Sequence, residues 1–113
     1  MTLIVQIDRK TVPPAVTRPD PAKVIAGDPV HTTWNQEDRD GLYCGTWQST
    51  PGAWRVSYDE WEYFSIRSGH SILTGADGTV TELRAGDAII LRPGFCGVWT
   101  VIETTLKDYV IRT

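Results

Sequence analysis

The chain has 113 residues, 22% charged and 41% apolar, with 11 basic against 14 acidic side chains and a net charge of −3. That length makes one modest domain, burying roughly two-thirds of the unfolded chain's surface, and leaves no room within it for a second catalytic domain. No cluster of Lys or Arg supplies the basic footprint that nucleic acid needs, and no stretch approaches the roughly 18 apolar residues of a membrane helix.

In chain order, Met1 to Asp8 lack the basic lead and long apolar core of a signal peptide, so a cytoplasmic location is the expectation. Leu3, Val5 and Ile7 alternate with Thr2, Ile4 and Gln6, which predicts a strand over 2–8. Pro13, Pro14, Pro19, Pro21 and Pro29 follow, five of the seven prolines in the chain. They argue against a regular helix or a central strand in the first forty residues. Residues 1–40 therefore read as an extended arm, packed on the body or on a partner subunit, or else as a frayed terminus.

From Leu42 onward the pattern predicts short strands over 42–49, 53–59, 62–67, 70–75, 79–84, 87–92, 97–103 and 106–112. Breakers separate most of them: Pro51-Gly52, Ser68-Gly69, Asp77-Gly78, Ala85-Gly86 and Pro93-Gly94. Asp77-Gly78 predicts a hairpin with positive φ at both turn residues. No window carries a helical period. Many short, evenly spaced strands indicate an all-β sandwich or barrel, a set that includes jelly rolls. Cys44 and Cys96 are too few and too scattered for a disulfide framework and read as free thiols.

Two short motifs stand out. In the first, the aromatic run Trp54-Arg55-Val56-Ser57-Tyr58-Asp59-Glu60-Trp61-Glu62 leads through six residues to Gly69. The second runs from Ala85-Gly86-Asp87 to Pro93-Gly94-Phe95-Cys96-Gly97, followed by Trp99 and by Lys107-Asp108-Tyr109-Val110-Ile111. In order and spacing over about 41–112 they resemble the signature motifs of the cupin superfamily. More narrowly, the chain resembles the ureidoglycine-aminohydrolase-like cupins, a subgroup that includes a cupin of ethanolamine utilisation. The resemblance implies an all-β single cupin domain at 41–113, a double-stranded β-helix or jelly-roll barrel, behind the arm of residues 1–40.

Cupins that bind metal often hold it on three His and one Glu, and here only the Glu, Glu62, is present. Counting back from it, the two His positions fall on Val56 and Tyr58 by the shorter family spacing, or on Arg55 and Ser57 by the longer. Alternation with Trp54 places Val56 and Tyr58 inward, facing the same interior as Glu62, Phe64 and Ile66. The His of the second motif falls on Gly97, which would share an inward face with Trp99. His31, in the arm, and His70, after Gly69, are no substitute. No cofactor is therefore expected. A divalent metal would need Glu62 joined by non-histidine ligands or by a residue of another subunit.

Glu62 is the leading candidate, because a carboxylate on a core face is costly unless it is paired or hydrogen-bonded. It serves either as acid or base in a pocket, or as a structural group bonded to Tyr58 or to backbone N–H groups. Tyr58 binds substrate, holds Glu62, or simply fills the core. Trp47, Val56 and Trp99 are the expected substrate-binding wall, with Trp99 either wall or filler. Trp61 and Tyr63 alternate outward and read as contacts of a homodimer; Arg55 and Arg67 also point outward. Asp87 reads as a loop residue bonding backbone, and Cys96 lacks the neighbouring cation that would activate it.

Two functions stay open. One is a small-molecule-binding cupin, an enzyme if Glu62 and Tyr58 move protons on a small polar metabolite without the three-His site. The other is a non-catalytic dimeric binding or assembly module that keeps only the barrel. No Gly-rich phosphate loop precedes a helix and no Gly-x-Ser-x-Gly elbow is present.

Overall fold

In the computed structural model, which describes residues 3–113, the chain is one curled sheet of nine strands with no α-helix among those residues. The strands are β1 (Ala15–Thr17), β2 (Val24–Gly27), β3 (His31–Arg39), β4 (Leu42–Ser49), β5 (Gly52–Ser57), β6 (Trp61–Gly75), β7 (Val80–Arg84), β8 (Ala88–Leu91) and β9 (Cys96–Arg112). The all-β cupin architecture expected from the motifs is the one observed. No helix of the described residues is long and apolar enough to cross a membrane.

Two long strands form the spine. β6 and β9 pair antiparallel from Trp61↔Arg112 to Gly75↔Gly97. The other edge of β9 takes β5 along its first half and β4 along its second. The other edge of β6 takes β8 and β7 in the same divided way. β3 and β1 extend the sheet beyond β4, and β2 extends it beyond β5. The concave face collects alternate residues of each strand, as a period of two requires. Phe64, Ile66 and Leu73 of β6 meet Trp99, Val101 and Tyr109 of β9, closed by Trp54, Leu83 and Leu91. Asp87 does hold its loop, accepting from the Arg84 N–H at 2.8 Å. Both cysteines are free thiols.

Several boundaries differ from the pattern reading, each for a local reason. The predicted strands 62–67 and 70–75 are one strand, because Ser68-Gly69 is a bulge and not a turn. Gly69 has φ +94, and a Cβ there would lie 2.1 Å from the Thr104 carbonyl oxygen of β9. A glycine that admits a neighbouring backbone leaves the same mark in sequence as one that reverses the chain. The segments 97–103 and 106–112 likewise join as β9.

The first forty residues are not a single arm. β3 begins two residues after Pro29 and lies inside the sheet, between β1 and β4, which corrects the expectation that no interior strand occurs there. It is joined to β4 by a two-residue hairpin at Asp40 (φ 53) and Gly41 (φ 78), with Arg39 opposite Leu42. This Asp-Gly pair has the positive φ at both positions that was expected of Asp77-Gly78. The latter also closes a hairpin, but with Gly78 alone at positive φ in a loop bonded from Gly75 N to Thr79 O at 2.8 Å. Of the strand predicted over 2–8, Thr2 lies outside the described residues and 3–8 form no strand. Leu3 and Ile4 are 88% and 84% exposed, so the alternation has no partner strand to use it.

Candidate functional site

Alternation along the two spine strands sets the centre of the concave face. On β6 it turns Glu62, Phe64 and Ile66 inward, and on β9 it turns Lys107, Tyr109 and Ile111 inward. Lys107 Nζ donates to Glu62 Oε2 at 2.8 Å, with both side chains almost fully buried. The ammonium also lies 4.5 Å from the Phe64 ring centroid, 4.6 Å from Trp99 and 4.7 Å from Trp47. Neither charge would be tolerable alone in so apolar a place. The ion pair and three aromatic rings with their negative faces offset the desolvation.

Beside the pair is a cavity of about 390 Å³. β3 supplies His31, Thr33 and Asn35 to one wall, and β4 adds Tyr43 and Trp47. Trp54 and Tyr58 come from β5 and the loop after it, and Trp99, Tyr109 and Ile111 from β9. The His31 ring lies 4.5 Å from Trp54 and 5.1 Å from Trp47 by centroid, and Trp54 stacks on Trp99 at 6.3 Å. The Tyr109 hydroxyl donates to Asn35 Oδ1. Two buried polar atoms, His31 Nε2 and Trp99 Nε1, have no partner among the described residues, a desolvation cost that the folded chain carries.

The electrostatics follow from this burial. Desolvation and then the positive Lys107 push His31 down to about 4, so its imidazole is neutral at physiological pH. Burial, reinforced by Glu62 and Glu60, raises Tyr58 well above the usual phenol range. Burial pushes Tyr109 up to about 12, with smaller contributions from Cys44 and Glu62. The phenols therefore act as donors and not as phenolates, and the Glu62 and Lys107 charges cancel. A second groove, of about 610 Å³, opens between β6, β7 and β8 with Asp77 as its one charged group and no ion pair.

Of the residues singled out in the sequence, Glu62, Tyr58, Trp47 and Trp99 line this one cavity. Val56 does not; it is half-buried against the core and borders a separate surface groove with Lys23 and Arg55. The partner of Glu62 is Lys107, not Tyr58 or backbone N–H. Gly97 is not a vacated pocket position either. A Cβ there would sit 2.1 Å from the Thr74 carbonyl oxygen, so β6 occupies the space a side chain would need. Trp61 is half-buried outside the cavity, and Tyr63, Arg55 and Arg67 are exposed, Arg67 pairing with Asp108 at 3.6 Å.

Sequence reasoning missed His31 and Lys107. Lys107 was accessible, since it shares the parity of Tyr109 and Ile111 in an apolar strand. His31 was hidden by assigning it to the arm. The three-His cupin metal site does not fit these residues. The side of Glu62 that would face a cation is taken by the Lys107 ammonium, and no group of three His, Cys, Asp or Glu among the described residues is placed to hold a metal.

A family model described as the EutQ-like cupin domain matches residues 36–109. Solved structures share the fold. A protein of unknown function from Pseudomonas syringae pv. tomato superposes with a TM-score of 0.82 at 24% identity, over 93% of this chain and 46% of its own. This chain thus spans about half the length of that neighbour. A putative ethanolamine utilization protein Q from Salmonella typhimurium gives 0.65 at 15% identity, over 89% of this chain and 96% of its own. The EutQ protein of Clostridium difficile gives 0.67 at 17% identity, over 74% and 63%. Among curated proteins, none matches the sequence. With its motifs, its curled sheet and a family match over well more than half its residues, this chain belongs to the EutQ-like cupin domain family.

Proposed function

We propose that the cavity binds a small polar metabolite, with the Glu62–Lys107 pair as its polar floor and Tyr58, Trp47 and Trp99 among its walls. The observation that carries this reading is the buried Glu62–Lys107 ion pair bordering a cavity of about 390 Å³. A carboxylate acceptor and an ammonium donor held side by side are what moving a proton between adjacent atoms of a bound molecule requires. Glu62 takes the proton, and Lys107 or the protonated Tyr58 supplies one.

We take the site to work without a metal, because Lys107 already neutralises the only acidic group in it. Mass spectrometry of untagged wild type and Glu62→Ala should find no stoichiometric metal in either. Metal that is present in wild type and lost in the variant would overturn this point. Binding itself is tested by thermal-shift screening of small polar metabolites against wild type and Glu62→Gln. Ligands that stabilise wild type and not the variant support the site; ligands that stabilise both equally place binding elsewhere.

The outer face of the sheet supports a second property, self-association. Tyr63, 37% exposed, and Ile90, 54% exposed, face each other across β6 and β8, and Val110 of β9 continues the row. We propose a homodimer through this face, which leaves the cavity on the opposite face free.

A further inference from the structure

We infer that Lys107 is the nucleophile of this cavity, forming a Schiff base with a small aldehyde or ketone while Glu62 carries the protons. This rests on the cavity being a ligand site and goes further in naming the substrate class, a carbonyl compound, and the covalent step.

The placement of the amine comes first. The chain has three lysines, Lys10, Lys23 and Lys107, and the first two are exposed. Lys107 borders the cavity together with Glu62, and the lining holds no other amine and no Cys or Ser. The two side chains keep 6% and 3% of their exposure, so neither is sealed off. Lys107 Nζ donates to Glu62 Oε2 at 2.8 Å and has no second hydrogen-bond acceptor among the described residues. A lysine amine held in apolar surroundings with a base in contact is the arrangement that carbonyl capture requires.

The charge balance comes next. The Phe64, Trp99 and Trp47 ring centroids lie 4.5, 4.6 and 4.7 Å from the ammonium, and with Glu62 they stabilise one cation at this point. The iminium of a protonated Schiff base carries the same single charge on the same nitrogen. The surroundings that hold the ammonium therefore also hold the product, and no buried charge is left unpaired at the end of the step.

The proton balance closes in the same way. Lys107 passes one proton to Glu62, which removes both charges together. The amine lone pair then forms the C–N bond, the carbonyl π pair moves to oxygen, and a second amine proton goes to that oxygen to give the carbinolamine. Glu62 returns its proton to the hydroxyl, the C–O bond breaks, water leaves, and the nitrogen lone pair forms the C=N bond. Ammonium plus carbonyl has become iminium plus water, with Glu62 again a carboxylate. Tyr58 shares the lining and keeps its phenol protonated, so it is a donor available to the carbonyl oxygen. The iminium withdraws electrons from the adjacent carbon, whose proton Glu62 can then take. That is the proton transfer proposed for the site, with its electron acceptor named.

The test is reductive trapping of wild type with sodium cyanoborohydride and either glycolaldehyde or dihydroxyacetone, a small polar aldehyde and a small polar ketone. Reduction turns a Schiff base into a stable secondary amine, and peptide mass mapping then reads each lysine separately. Lys107 should be labelled at least about tenfold faster than Lys10 or Lys23, the internal controls. In folded Glu62→Gln the rate at Lys107 should fall at least about tenfold, with Lys10 and Lys23 unchanged. Labelling of Lys107 no faster than that of the exposed lysines with both probes would overturn the nucleophile. Metabolites that still stabilise wild type and not Glu62→Gln would then leave the ligand site standing without it; none doing so would remove the site and this inference together. An undiminished rate at Lys107 in folded Glu62→Gln would overturn the role of Glu62.

Discussion

Removing one member of the Glu62–Lys107 pair strands the other's charge in an apolar interior. Glu62→Gln and Lys107→Met should each cost about 3–5 kcal/mol in urea unfolding, and the double variant should recover a large part of that loss. Additive losses would mean that the two side chains do not depend on each other. His31 makes a pH-dependent contribution whose sign is fixed. Its folded value of about 4 lies below the ordinary 6.5, so between these values the unfolded chain binds the proton more readily. Stability should therefore rise with pH from about 4 to about 6.5 and gain nothing further from this group above that. Unfolding midpoints across this range should be flatter for His31→Phe than for wild type. Parallel pH profiles would show that burial does not hold the imidazole neutral.

Among the elements, the bulge in β6 is the most exacting. Gly69 and Gly86 share φ +94, but a Cβ at Gly69 meets the β9 backbone while one at Gly86 meets nothing within 4 Å. Gly86→Ala should cost about 1–2 kcal/mol for the left-handed backbone alone. Gly69→Ala should cost clearly more in the same denaturation experiment, and equal losses would place the β6–β9 contact elsewhere. The same bulge shows where pattern reading stops. Alternation alone put Phe64 and Ile66 on the core face and Tyr63 and Arg67 outside it, because a period of two survives any uncertainty about pairing. It could not tell a bulge from a turn at Ser68-Gly69, since both are glycine next to a small polar residue. Nor could it see β3. The proline run ends at Pro29, and the only local mark of the strand after it is the Asp40-Gly41 turn that joins it to β4. A quarter of the cavity lining goes with it, because His31, Thr33 and Asn35, three of its twelve residues, are on β3. The pairing of Glu62 with Lys107 joins residues 45 apart in sequence and depends on β6–β9 register, which no local pattern encodes.

At the scale of the molecule, one curled sheet presents two faces with different work to do. The concave face is filled by the core, the ion pair and the cavity, while the convex face carries the Tyr63–Ile90–Val110 row. If that row is a dimer contact, light scattering should give twice the monomer mass, and Tyr63→Arg should return the protein to a monomer without altering ligand-induced stabilisation. A wild-type monomer at high concentration would contradict it. The central claim is that the concave cavity is a ligand site built on the Glu62–Lys107 pair. Its most direct test is a crystal structure of the protein with the strongest stabilising metabolite from the thermal-shift screen. The account predicts density for the ligand within contact of Glu62 and Lys107, with Trp47 and Trp99 among the cavity walls. A ligand bound elsewhere, or a cavity filled by the Trp99 and Trp47 rings with Glu62 inaccessible, would contradict it.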